Sequence, residues 1–309
     1  MKKLIAIVLV LTLCLSMAAC AGESGKAGAD FTVGICQLME HESLDKATEG
    51  FKAALTAALE AEGKTVAFDE QVAGGSDLCT TVVGTFTAKN VDLILANATP
   101  ALLAAANATT SIPVLGTSVT DYSDTFSGNI PANVSGTSDA VPFDEQAQMM
   151  IDTLKLVAGD QVGVLYCSDE SNSKIQYEAV KALFEAAGII VKAYTFSETT
   201  ELQTLVTNAC GECKAIYVPS DNTVADNDGI VGTVCEEKKI PVYTSYGGKI
   251  CYASLAIDYY ALGEQTGKMA AEILLGKKTP ADIEIATLTP SVVYNEELCN
   301  ALNIEIPAK

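Results

Sequence analysis

The ten residues "VDLILANATP", Val91 to Pro100, are answered in the second half of the chain by "KAIYVPSDNT", Lys214 to Thr223. The "SIPVLGTS" that follows the first is answered by the "KIPVYTSY" that follows the second. Each set reads as an apolar strand, a helix start, a helix and another apolar strand. A chain that carries this pattern twice has to build two similar units, and 309 residues are enough for both.

The rest of the sequence fills in the units. "FTVGICQL" precedes "LDKATEGFKAALTAALEAEG", where Leu44, Ala47, Phe51, Ala54, Leu55, Ala58 and Leu59 share a helical face and Gly63 ends the helix. "TVAFDEQV" and a helix opened by Ser76 or Asp77 follow. In the second half, "QVGVLYCS", a helix from near Asn172 to Gly188 and "IIVKAYTF" repeat that order. Continuous apolar strands alternating with helices predict α/β lobes with parallel sheets covered on both faces. "CYASLAID" and the helical "YYALGEQTGKMAAEILLG" then form a tail able to cross back between the lobes. The expected division is a first lobe of residues 31–139 with 253–281, and a second of 140–252 with 282–309.

Residues 1–19 read as an export signal. Lys2 and Lys3 precede the apolar "LIAIVLVLTLCL" and the small residues of "SMAAC", a run too short and wrongly flanked for a stable span. Cys20 resembles the lipidated cysteine of a bacterial lipobox, and residues 20–30 read as a flexible tether. No later apolar run is long enough to cross a bilayer. The expectation is an extracytoplasmic body tied to the membrane by lipid. Its formal charge of −20 grows more negative once the two lysines leave, which argues against nucleic acid as a partner.

Ten cysteines in an exported chain raise the question of disulfides. Cys14 leaves with the signal and Cys20 carries the lipid. Several of the others, such as Cys36 and Cys167, sit in apolar strands where a thiol packs as a hydrophobe. The one CxxC, Cys210 to Cys213, lacks a second pair or a nearby His to complete a metal site. Free thiols are expected, with one disulfide left open, and no metal and no cofactor.

Ligands of open α/β sheets lie beyond the carboxyl ends of the strands, against helix starts. At those ends stand Gln37, Thr99, Ser118, Thr120, Asp121, Ser171, Asn172, Ser173, Ser220, Asp221, Asn222, Thr223 and Asp258. Helix capping accounts for part of this set. It does not by itself account for aspartates at strand ends in both the leading and return segments.

Several stretches resemble one family in order along nearly the whole chain: "GICQLMEHESLDKATEGF", "ATPALLAAANATTSIPVLGTSVTD", "NVSGTSD", "SNSKIQ", "YVPSDNTV" and "DYYALGEQTGKMAAEILLGKKTPADI". The chain is similar to the TrpX-like, tryptophan-binding lipoproteins of ABC transporters. The resemblance implies a type I periplasmic-binding-protein fold, two Rossmann-like lobes closing on a small molecule, with an ABC permease and its ATPase as partners. Tyr122, where the family often has Pro, and the "SYGGKICYASLA" segment depart from the family pattern near the expected cleft.

The motifs of catalysis are missing: no G-x-S-x-G, no P-loop, and no G-x-G-x-x-G after the first strand. The single histidine, His41, lies between Glu40 and Glu42 just past the first strand, where adjacent side chains rarely converge. It reads as a loop residue or a contact at the cleft rim, and the chain as a binder with no catalytic residue. A free amino acid suits the strand-end chemistry. Helix starts in "SNS" and "ATP" offer donors to a carboxylate, and Asp121, Asp221 or Asp258 offers a charge to an ammonium. Tyr122, Tyr166 or Tyr246 could pack on an aromatic side chain. A nucleoside or sugar ligand, or a sensing role in place of transport, stays open.

Overall fold

The computed structural model describes residues 28–307, so the expected export signal and Cys20 lie outside the described residues. The first half of the chain runs β1 (Phe31–Gln37), α1 (Glu42–Glu60), β2 (Val66–Val72), α2 (Ser76–Lys89), β3 (Leu93–Asn97), α3 (Thr99–Ala108), β4 (Val114–Val119), α4 (Tyr122–Thr125) and β5 (Val134–Ser138). The second runs α5 (Phe143–Leu154), β6 (Gln161–Cys167), α6 (Ser171–Ala186), β7 (Ile190–Phe196), α7 (Leu202–Glu212), β8 (Ala215–Val218), α8 (Asn222–Asp226), α9 (Asp228–Lys238), β9 (Val242–Thr244) and β10 (Ala253–Ala256). The tail adds α10 (Tyr259–Leu274), β11 (Ala286–Thr287), β12 (Ser291–Tyr294) and α11 (Glu296–Leu302).

Two six-stranded sheets result, ordered β11-β5-β4-β3-β1-β2 and β12-β10-β9-β8-β6-β7. Apart from β11 and β12 at one edge, their five other strands follow one another in the same order, so the repeat in sequence is a repeat in topology. Every pairing is parallel except that of β10 with β12. The central strands β3 and β8 are wholly buried, in line with their sequences, apolar but for Asn97 at the end of β3. Each sheet has an apolar cluster on either face.

The tail corrects the expected boundaries. β10, assigned by sequence to the first lobe, pairs with β9 in the second sheet. β11, assigned to the second, pairs with β5 in the first. A short apolar strand reads the same in either sheet, so the sequence does not mark on which side of it the chain crosses. The crossings follow β5, β10 and β11. The second of them sends α10 back onto lobe 1, where Met269, Ala270 and Ile273 join Phe51 and Leu55 in one core. The two backbones meet closely there. A Cβ on Gly50 would overlap the Tyr260 carbonyl, and one on Gly263 the Ala47 carbonyl.

Eight cysteines, including Cys210 and Cys213, are buried free thiols. The sulfurs of Cys210 and Cys235 stand 3.5 Å apart. Among the described residues, no helix is long and apolar enough to cross a membrane.

Candidate functional site

The strand ends of the two sheets face each other across a cleft. In lobe 1, β4 loses its register with β5 between Gly116 and Val119. Ser118, inside this irregularity, has φ +55°, a left-handed conformation that costs a residue with a Cβ about 1–2 kcal/mol. Bulges re-aim side chains. Here the Ser118 hydroxyl lines the cleft, buried and without a hydrogen-bond partner.

Asp139 follows β5 and is 6% exposed. Its Oδ2 accepts the Tyr259 phenol at 2.8 Å, while its Oδ1 accepts nothing. Burial pushes its carboxyl pKa up, with the Tyr259 phenol pulling the other way. Burial and the neighbouring Asp139 charge keep Tyr259 a phenol, and so a donor.

Lobe 2 is built around another buried carboxylate. Glu170, just before α6, accepts five hydrogen bonds: from the backbone and side chain of Asn222 at 3.0 and 2.6 Å, from the backbone and side chain of Thr223 at 2.8 Å each, and from Asn172 at 3.1 Å. Asn172 also donates to the Ser220 carbonyl at 2.7 Å, which leaves its Oδ1 unpartnered. Tyr246, past β9, is buried with its hydroxyl unpaired, and burial raises its pKa.

Five buried side-chain polar atoms lack a partner among the described residues. Four of them, on Ser118, Asp139, Asn172 and Tyr246, line this one pocket. The fifth, on Asn97, lies where that side chain ties α1 to β3. An unpaired buried polar group costs about 1–3 kcal/mol, so four in one place form a site built for a polar guest.

Two hydrogen bonds cross the cleft. Neutral His41 donates from Nε2 to Asn222 Oδ1 at 3.3 Å, its pKa lowered by burial against the pull of nearby carboxylates. Gln176 Nε2 donates to Thr120 Oγ1 at 3.2 Å. The free volume left inside is about 10 Å³, so a guest enters as the lobes part. Beyond Tyr246 and Tyr259 a groove of about 780 Å³ opens outward between α1 and the β12 side of lobe 2.

Of the residues expected from sequence, Thr120, Asn172, Asp221, Asn222, His41 and Tyr246 come together around the pocket. Thr99, Ser171 and Ser173 do not line it, so α3 brings no contact there and α6 brings one through Asn172. Gln37 is used inside lobe 1, donating to Met39 and Asp45 and accepting from Thr48. Tyr122 points into lobe 1, its hydroxyl donating to the Thr137 carbonyl at 3.2 Å.

The three aspartates expected to hold a charge are helix caps. Asp121, Asp221 and Asp258 accept from the backbone N–H groups of Asp124, Val224 and Ala261. Asp221 lines the pocket, but its second oxygen is taken by Cys167 N–H and the Ser173 hydroxyl. Capping thus explains even the aspartates of the leading and return segments. Asp139, Tyr259 and Glu170 were not singled out by sequence. A weak signal for Asp139 was present: three residues on stands Pro142, whose missing N–H removes one of the two donors that a cap at Asp139 would use.

A family model described as ABC transporter substrate binding protein matches residues 32–309. A tyrosine-binding protein of Clostridioides difficile (strain R20291) is 35% identical over 285 residues, 88% of this chain and 81% of the relative. An ABC domain from Streptococcus pneumonia, solved in complex with L-Trp, matches with a TM-score of 0.79 at 32% identity, covering 89% of this chain and 96% of that one. A ligand-free, open substrate binding protein with adhesive properties from Clostridium difficile matches with a TM-score of 0.65 at 33% identity, covering 90% and 96%. At nearly equal identity and coverage, the higher score goes to the ligand complex. In this chain the lobes meet through the two hydrogen bonds across the cleft. Fold, strand-end pocket and relatives agree on two lobes of the type I periplasmic-binding-protein kind, and the chain belongs to the family of ABC transporter substrate-binding proteins.

Proposed function

We propose that the protein captures a free L-amino acid with an aromatic side chain and presents it, unaltered, to an ABC permease and its ATPase outside the cytoplasm. The observation that carries this reading is the chemistry of the four unpartnered atoms. Asp139 Oδ1 and Asn172 Oδ1 are acceptors, suited to an ammonium, and the Ser118 and Tyr246 hydroxyls are donors, suited to a carboxylate. Both ends of a zwitterion are thus provided for. The rings of Tyr246 and Tyr259, between the pocket and the outer groove, offer faces to an aromatic side chain. The tyrosine-binding and L-Trp-bound relatives favour the same ligand class.

In this reading Asp139 holds the ammonium, while Asp121, Asp221 and Asp258 keep their caps. A thermal-shift screen of the mature domain tests it. At a hundredfold excess over Kd, a ligand of the native state adds about 2.7 kcal/mol of stability. L-tryptophan, L-tyrosine or L-phenylalanine should raise the melting temperature. A shift produced by a nucleoside or sugar, with none from any amino acid, overturns the reading. The lipid at Cys20 belongs to the same proposal: labelled fatty acid enters the wild type and not Cys20→Ala, and an unlabelled wild type refutes it.

A further inference from the structure

The one Cys-x-x-Cys spacing in the chain, Cys210 to Cys213, comes apart in three dimensions. Cys210 lies in the last turn of α7, whereas Cys213 has left the helix with an extended backbone. The Cys213 sulfur turns toward β6 and β7, accepting from Gln161 Nε2 at 3.5 Å and touching the Tyr194 hydroxyl at 3.5 Å. The Cys210 sulfur meets that of Cys235 instead, 3.5 Å away in space and 25 positions away in the chain. Cys235 lies in the last turn of α9. α7 and α9 pack side by side, and Val206, Ala209, Val231 and Val234 share one core with both cysteines. That packing holds the two sulfurs in contact. Neither cysteine lines the pocket or the outer groove.

We propose that Cys210 and Cys235 close to a disulfide within folded lobe 2, with Cys213 left as a thiol. The sulfurs have to approach from 3.5 Å to about 2.0 Å, a shift divided between two side chains on neighbouring helices. The oxidant is a small disulfide of the kind available outside the cytoplasm. Cys210 is the more exposed of the pair, at 8% against 2%. Its contact with the Cys235 thiol also lowers its pKa against the effect of burial. The Cys210 thiolate attacks one sulfur of the oxidant and expels the first thiolate, leaving a mixed disulfide on Cys210. Cys235 gives up its proton, attacks the Cys210 sulfur and expels the second. Two electrons pass to the oxidant, which leaves as two thiols carrying the protons of the pair. The loop so closed contains β8 and α8, and α8 carries the Asn222 and Thr223 that donate to Glu170. The bond therefore fastens the lobe 2 wall of the pocket into a ring that unfolding cannot open.

The test incubates the mature protein, folded and reduced, with a mixture of oxidised and reduced glutathione. Remaining thiols are alkylated, and the digested protein is mapped by mass spectrometry. The expected product joins Cys210 to Cys235, with fragmentation placing the bond on Cys210 and not on Cys213. Oxidised protein should melt about 5–10 °C above the reduced form, and reductant should erase the difference. Cys213→Ala should keep both the cross-link and the shift, and Cys235→Ala should lose both. A bond from Cys210 to Cys213, glutathione retained on Cys210 of the wild type, or no cross-link overturns the proposal. So does an oxidised form that melts no higher than the reduced one. Where a variant fails to fold, the map and melt of the wild type decide by themselves.

Discussion

On the lobe 2 side of the cleft, Glu170 receives five hydrogen bonds and leaves no capacity unused. On the lobe 1 side, Asp139 is buried to a similar degree but receives one, from Tyr259, and keeps one oxygen bare. Both are acids at the end of a strand, beside the same pocket. The difference lies in what surrounds them: two backbone N–H groups and three side chains of its own lobe converge on Glu170, and a single phenol reaches Asp139. A buried carboxylate that its own fold satisfies is holding the fold, whereas one left half-satisfied is waiting for a partner from outside.

The sharpest way to break this comparison is to remove Glu170. Glu170→Ala would strand two backbone donors and three side chains in the start of α6 and α8, at an expected cost of about 3–5 kcal/mol in urea unfolding. Stability close to wild type would show that Glu170 is not the keystone of lobe 2. Asp139→Asn should behave in the opposite way. Ligand binding weakens by about 2–5 kcal/mol, because the ammonium loses its charge partner, while the unliganded protein keeps or gains stability. Calorimetric titration beside a melt separates the two effects, and a variant that unfolds like Glu170→Ala would erase the contrast.

Acidity sharpens the same contrast. Burial raises the folded-state pKa of Asp139 above its unfolded value. The folded protein then holds a proton that the unfolded chain gives up. Stability contributed at this site is therefore greatest below the usual aspartate range and falls as pH rises through the raised pKa. Ligand affinity runs the other way, since an ammonium needs the ionised carboxylate. Affinity should drop as pH falls through that pKa, and Asp139→Asn should flatten the slope. Asp221, raised by burial and then by the Glu170 charge, adds to the stability trend and should not alter the affinity slope. An affinity slope that persists in Asp139→Asn would assign it elsewhere. The smallest effect belongs to the exposed cap Asp258. Asp258→Ala should cost about 1 kcal/mol of stability through α10, with ligand affinity unchanged.

Much of the fold was legible because apolar strands and amphipathic helices carry their own periodicity, and because the chain states the pattern twice. The site was legible as a location. Strand ends rich in Ser, Thr, Asn and Asp marked the cleft, and Thr120, Asn172, Asn222 and Tyr246 reached it. What failed to separate was role. An aspartate one residue before a helix looks the same whether it faces a ligand or the N–H three residues on, and Asp121, Asp221 and Asp258 face the N–H. Asp139 differs through Pro142, which removes one of the two donors a cap would use, a weak cue of absence. The pairing of Gln176 with Thr120 and of His41 with Asn222 depends on how two lobes meet, which no local pattern encodes. The same holds for β10 and β11, whose sheets were exchanged.

The position of α10 and β11 has a consequence for how the chain comes into being. Both complete lobe 1, yet in the chain they come after β6 to β10 of lobe 2. As the polypeptide lengthens, the first sheet has to wait with one face covered only by α1 until residues 259–287 arrive. Contacts between such distant segments form slowly, since a long loop has to be closed before they stabilise anything. A chain that has not yet received α10 therefore lacks the Met269, Ala270 and Ile273 side chains that complete the core against Phe51 and Leu55. The helix that completes the lobe is also the one that brings Tyr259 to Asp139.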